Sequence, residues 1–335
     1  MSDKEEYLRK LKEDIAAQHA KDTRTQQDFI NNKFIDTDAE LLAHVEILDD
    51  PVAVRKAMDL LTNRNADLKL RMLAPQKAIA AIGANSDYIQ ICMSLLSDTG
   101  EPEELRKAVL TLLATLIFSS GIFNSQRAAY LSILRTLLDD DSSSLREMAA
   151  AELAKVKDGV VQERLLKGLK GEATPIVSTI MAMQLLGFDL HAEQFPVVKK
   201  ILQNPATDEP TKLQAIRILG NDPDSRQLLV DLMLDKNQPG EIRMTSAASI
   251  QVSHPESFIK LAKPILLDET ESNDVQAVVL TGLLLNHDKA AVYDDEKFLN
   301  QLQQVSLLNA TVPTLRKMSD RLIKKTTIER KSRKD

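Results

Sequence analysis

Apolar residues return at three- and four-residue intervals along most of this 335-residue chain. The stretch "LSILRTLLDD" carries Leu131, Leu134 and Leu138, and "RQLLVDLMLD" carries Leu228, Leu229 and Leu232. Each set falls on one side of a helix and leaves the polar residues opposite. The same spacing places Tyr7, Leu8, Leu11 and Ile15 in one stripe, so residues 1–38 are expected to form a polar helical cap.

Between these helices a short pattern recurs: an acidic residue, three spacers, an aliphatic residue, then Arg or Gln. It fits Asp50 to Val54-Arg55, Glu101 to Leu105-Arg106, Asp141 to Leu145-Arg146, Glu209 to Leu213-Gln214 and Glu271 to Val275-Gln276. Glu172 to Ile176-Val177 lacks the polar residue, and Gln238 to Ile242-Arg243 lacks the acid. The last positions are separated by 51, 40, 31, 37, 29 and 33 residues, mostly the period of a helix-pair repeat. The long first interval points to a divergent copy in "LKLRMLAPQKAIAAIG", with its own Leu70-Arg71.

Each copy reads as a helix start. Pro51, Pro102, Pro210 and Pro239 follow the first pattern position, where a missing N–H costs nothing. The preceding carboxylate faces the free amides and positive end of a helix. Gly83, Gly187 and Gly220 follow apolar residues where helices can close on a left-handed glycine.

The run "ILGNDPDSRQLLVDLMLDKNQPGEIRMTSAASI", Ile218 to Ile250, resembles a HEAT repeat of the phycobilisome-lyase type. The resemblance implies an all-α fold: an α-solenoid of about seven or eight HEAT-like helix-pair repeats wound as an armadillo-like superhelix. The repeat array is expected over residues 39–310, followed by a C-terminal helix and basic tail over 311–335. HEAT repeats commonly join successive units through an acid–Arg ladder, which implies structural roles for Asp50, Arg55, Arg106, Asp141, Arg146 and Arg243. A second placement turns Arg55, Arg106, Arg146 and Arg243 toward a partner on a concave surface. Phe118, Ile122 and Phe123 flank a break in the helical pattern, "IFSSGIFNSQ", and are candidate apolar contacts there, with burial beneath the loop as the other reading.

Composition changes the picture in two ways. Hydrophobic residues make up 43 % and charged residues 27 %, enough for a core, and the single Cys92 excludes an internal disulfide or a multi-thiolate metal site. The longest uncharged apolar stretch, Ala108 to Phe118, is short of a transmembrane helix, and the charged N-terminus has no secretory character, so a cytoplasmic location is expected. Charge is also segregated. Residues 316–335 hold nine Lys or Arg against three acids, a balance of +6, so the rest of this −6 chain carries −12. Lys324, Lys325, Arg330, Lys331, Arg333 and Lys334 are therefore candidates for an anionic polymer or membrane, although the acidic remainder opposes nucleic acid.

Catalytic signatures are sparse. His44, His191 and His254 each begin a His-x-acid triplet, but residues two apart on a helix diverge by about 200° and cannot clamp one ion. HEAT-repeat deoxyhypusine hydroxylase binds a di-iron centre with adjacent His-Glu pairs, and no such dipeptide occurs here. Gly-rich phosphate loops, GxSxG and HExxH are also missing from the sequence. The expectation is a non-catalytic protein-binding scaffold or adaptor, not an enzyme, with no metal or cofactor. The alternatives are a HEAT-type enzyme or enzyme accessory subunit, bilin-lyase-like or metal-dependent, and recruitment to an anionic partner through the tail.

Overall fold

The computed structural model describes residues 48, 50–119, 121–285, 295–308 and 313–332. The expected cap, residues 1–38, lies outside them, as do His19, His44 and His287. Among the described residues every regular element is helical, and the helices form eight consecutive pairs. The chain divides into two compact units, one ending at Val156 and the other beginning at Lys157.

In the first unit the pairs are α1 (Pro51–Thr62) with α2 (Leu68–Lys77) and the short α3 (Ile79–Gly83), α4 (Ser86–Ser97) with α5 (Glu103–Ser119), and α6 (Arg127–Leu137) with α7 (Ser143–Lys155). The second helices stack in order, α2 on α5 and α5 on α7.

The second unit continues with α8 (Gly159–Lys170) and α9 (Thr179–Leu186), α10 (Phe195–Gln203) and α11 (Glu209–Leu219), α12 (Arg226–Leu234) and α13 (Gly240–Ser253), α14 (Pro255–Leu267) and α15 (Asn273–Leu285), then α16 (Glu296–Leu308) and α17 (Pro313–Ser332). Here too the second helices form an unbroken stack from α9 to α17. One apolar core runs through the unit from Leu166 to Leu322, with Ile216, Leu219, Met233, Ile250, Phe258 and Val279 fully or almost fully buried. Both units are α-solenoid arrays of HEAT-like helix pairs, as the repeat pattern predicts.

Local chemistry sets the helix starts. Asp50, Asp67, Asp158, Asp208, Ser142 and Ser178 each accept backbone N–H bonds in the first turn of the helix that follows. Pro51 and Pro210 occupy the first turns of α1 and α11, while Pro102 and Pro239 stand just outside α5 and α13.

The structure corrects two expectations here. The copy at Asp50–Arg55 opens a first helix, α1, and the copy at Glu172–Val177 ends in the loop before α9, whereas the other copies open second helices; the structural counterpart of Arg55 in the first pair is Leu70-Arg71 on α2. The interval from Arg71 to Arg106 is then 35 residues, in step with the rest. The glycines differ as well: Gly187 and Gly220 are right-handed, and only Gly171, which closes α8 at φ 74°, is left-handed among the described glycines. Close packing accounts for Gly220, since a Cβ there would lie 3.1 Å from the Ser249 Cβ of the next second helix.

Candidate protein-interaction groove

The repeated arginines build joints between pairs. Arg71 Nε donates to Leu61 O at 3.0 Å, at the end of its own pair's first helix, and its Nη2 meets Glu101 Oε2 at 2.7 Å in the next pair. Arg106 repeats this with Leu96 O at 3.0 Å and Asp140 Oδ2 at 2.5 Å. Arg243 does so with Met233 O at 3.0 Å and a two-pronged contact to Glu271 at 2.7 and 2.6 Å. All three arginines and their carboxylates are buried at the side chain. Burial opposes ionisation of Asp140, but hydrogen bonds from Arg106 and Ser142 outweigh it and hold its carboxyl below the usual range. The same balance, with Arg243 and Ser272 as donors, lowers Glu271.

These arrangements redistribute the predicted partner-binding residues. Arg106 and Arg243 are enclosed in the joints and cannot face a partner. Arg146 is half-buried, donating to Asp140 O at 2.6 Å and Asp141 O at 3.0 Å, so it braces the turn that receives Arg106. Arg55 lies exposed on α1. Gln276 replaces the arginine of its pair and reaches Asp268 O at 2.9 Å.

Phe118, Ile122 and Phe123 separate. Phe118 is 68 % and Ile122 42 % exposed, but Phe123 is fully buried, edge-on to Tyr130 at a centroid distance of 5.4 Å. Residues 122–126 form a 3-10 turn, in which neighbours point about 120° apart, so one side chain faces out and the next in. Phe123 is therefore core and not a contact residue.

In the predicted basic tail, Lys324 is exposed, whereas Lys325 Nζ donates to Leu284 O at 3.1 Å and closes the end of α15. Arg330 and Lys331 belong to α17, with side chains outside the description; Arg333 and Lys334 lie outside the described residues. Arg316, Lys317 and Arg321 complete an exposed cationic face on that helix, with Asp320 among them.

The described histidines are accounted for without a ligand. His191 pairs with Asp189 at 3.1 Å, and His254 caps α14, which Pro255 and Glu256 open. No group of three or more His, Cys, Asp or Glu side chains among the described residues could hold a metal. His254 Nδ1 lies 2.8 Å from Ser253 Oγ, which invites comparison with a nucleophile and base. However, the Ser253 hydroxyl donates its proton to Ser249 O at 2.7 Å, so the imidazole must donate to the serine and cannot deprotonate it. Burial and the nearby Arg226 lower the pKa of His254, which favours this neutral state. Cys92 is inert: burial pushes its thiol up to about 12.

A concavity of about 710 Å³ lies elsewhere, across α11, α13 and α15 of the second unit. Gly220, Ala248, Ser249 and Val278 form its floor, and Met244 and Val252, the latter 79 % exposed, supply apolar contact. Arg217, Asn221, Glu241, Thr245, Ser253 and His254 line it with both donors and acceptors. None of these residues stands at the repeated arginine position. The sequence signal that marks them is a run of small residues on α13, "TSAAS", which lets neighbouring second helices leave space above them.

No family model and no curated protein matches the chain. Among solved structures it is similar to a complex of CpcE and CpcF of phycocyanin lyase from Nostoc sp. PCC7120, at 17 % identity and a TM-score of 0.36, covering 75 % of this chain and 94 % of that one. It is also similar to an engineered protein, at 18 % identity, a TM-score of 0.40 and coverages of 85 % and 83 %. A third is human deoxyhypusine hydroxylase in complex with glycerol, at 13 % identity, a TM-score of 0.31 and coverages of 73 % and 97 %. These are likenesses of helical-repeat architecture and assign no activity. Two of the three come from enzymes, which overturns the expectation that a chain of this architecture is not an enzyme. Among the described residues no single helix is long and apolar enough to cross a membrane.

Proposed function

We propose that the chain is a protein-binding helical-repeat subunit, a scaffold or the accessory subunit of an enzyme, which takes a segment of a partner protein into the α11–α13–α15 groove. The observation that carries this reading is the composition of the groove. An extended polypeptide presents N–H and C=O groups alternately, and the rim offers carboxylate and imidazole acceptors beside guanidinium and amide donors. The small floor residues let a backbone approach closely. With Arg217 opposed by Glu241, the rim lacks the cationic excess that a nucleic acid needs.

The test is affinity purification of the tagged, full-length chain from its native cells beside Ala248→Arg, which fills the floor at an exposed position. A stoichiometric protein retained by the parent and reduced at least tenfold by the variant, with unchanged circular dichroism and melting, is the expected result. Equal retention by both would remove the groove from the interface. Absence of any stoichiometric protein would overturn the reading as a whole.

A further inference from the structure

The described array ends at α17, where an arginine in the joint position has no carboxylate opposite it. In the three joints the arginine is the fourth residue of its second helix: Arg71 of α2, Arg106 of α5 and Arg243 of α13. Arg316 has that place in α17, directly after the buried Leu315, as Arg106 follows Leu105 and Arg243 follows Ile242. The joint arginines are buried because the next pair brings a carboxylate over each of them. α17 packs against α15 and α16, and no further pair follows it among the described residues. Arg316 is exposed, with no ion pair to a described carboxylate.

The charge around Arg316 does not compensate it. Lys317, Arg321 and Lys324 are exposed beside it, and the helical period places them with Arg316 and Asp320 in one arc of about 140°. With Pro313 these residues line a concavity of about 570 Å³. Met318 and Leu322 fall on the opposite side and join the core. The first turn of α17 has no acid, and cations there run against the helix dipole. A terminal repeat needs a polar outer face, which mixed charge would supply. Four cations against one acid, on a chain of net charge −6, exceed that need.

We infer that α17 is an open joint: a docking face for an acidic segment of a partner protein, which seats a carboxylate on Arg316 as Glu101 seats on Arg71 and Glu271 on Arg243. A guanidinium fork holds a carboxylate through two parallel bonds, and all three joint arginines of this chain meet a carboxylate. Asp320 within the cationic arc opposes a continuous polyanion or a lipid surface, whereas a protein segment can meet it with a donor. A concavity also admits side chains more readily than the plane of a bilayer. None of these residues lines the α11–α13–α15 groove, so the inference stands apart from it.

The test uses the full-length chain at low ionic strength with fluorescein-labelled octaglutamate as the probe, read by anisotropy. The parent should bind it saturably. Arg316→Gln and Arg316→Lys should each weaken binding about tenfold, because an ammonium cannot present the paired donors of the fork. Lys317→Gln and Lys324→Gln should weaken it only about twofold, as screened surface charges. Circular dichroism should be unchanged in all four variants, since each side chain is exposed. No saturable binding by the parent, equal losses at the three positions, or full binding by Arg316→Lys would overturn the joint. Sedimentation with phosphatidylserine vesicles that Arg316→Gln abolishes would overturn it in favour of a membrane. Self-association of the parent that the same variant abolishes would overturn it in favour of a second copy of the chain.

Discussion

Arg243 shows how much one side chain holds. Its Nε bonds Met233 O and its fork grips Glu271, with every charge buried. Replacing it with Ala strands a carboxylate in the core, and a loss of about 3–5 kcal/mol in urea unfolding is expected. Arg243→Lys should fall between the two, because an ammonium cannot serve the helix end and both carboxylate oxygens together. The same pair gives a pH dependence. Glu271 has a folded pKa below its ordinary 4.5, so below that value the unfolded chain binds the extra proton first. The stability that Glu271 contributes is complete above the unfolded value and is lost as pH falls through the folded one. Glu271→Gln should flatten this acid limb in denaturation midpoints measured from pH 6 to 3. The joint was legible because an acid and an arginine recur in step. Which acid is used was not: Asp140 receives Arg106, one residue before the repeated Asp141, because turn geometry, not motif register, decides which carboxylate points inward.

At the scale of helices, packing distance governs what can change. A Cβ on Gly282 would sit 2.5 Å from Phe258 Cζ, where α15 crosses the fully buried ring of α14. Gly282→Ala should therefore cost about 1–3 kcal/mol by forcing that ring aside. Gly240 opens α13 with nothing within 4 Å of its position for a Cβ, so Gly240→Ala should raise stability by about 0.4–1 kcal/mol through the unfolded chain. Thermal unfolding of the two variants separates a packing glycine from a dispensable one. Helix existence was readable from apolar spacing, since a stripe that must be buried leaves a period. The turn at Ile122–Gln126 was not, because a 3-10 segment has a different period and sends Phe123 inward where the α-helical pattern gives no instruction.

Over the whole molecule, the array of pairs followed from the recurring motif, but the groove did not. Gly220, Ala248 and Val278 are about 30 residues apart in sequence and meet only because α11, α13 and α15 stack, so no local pattern joins them. Charge segregation was visible from the sequence, and the structure refines it: Lys325 is engaged at Leu284, leaving Arg316, Lys317, Arg321 and Lys324 as the outward cations among the described side chains of α17. Despite a net charge of −6, the chain should bind heparin at low ionic strength and elute below about 0.2 M salt, where screening is already strong. Lys317→Glu/Arg321→Glu should abolish that retention without changing the melting temperature by more than a few degrees.

The arginine joints have a consequence for how such a chain can lengthen. The paired residues are 30, 34 and 28 positions apart in the three instances, so each contact tolerates loops and helices of unequal length between its halves. A middle pair such as α4–α5 carries an acid for its predecessor, Glu101, and an arginine for its successor, Arg106. Duplicated in tandem as one block, it would arrive with complementary halves at both new seams. Gene duplication in whole repeats thus preserves electrostatic matching automatically, while a cut through the middle of a pair orphans a buried charge.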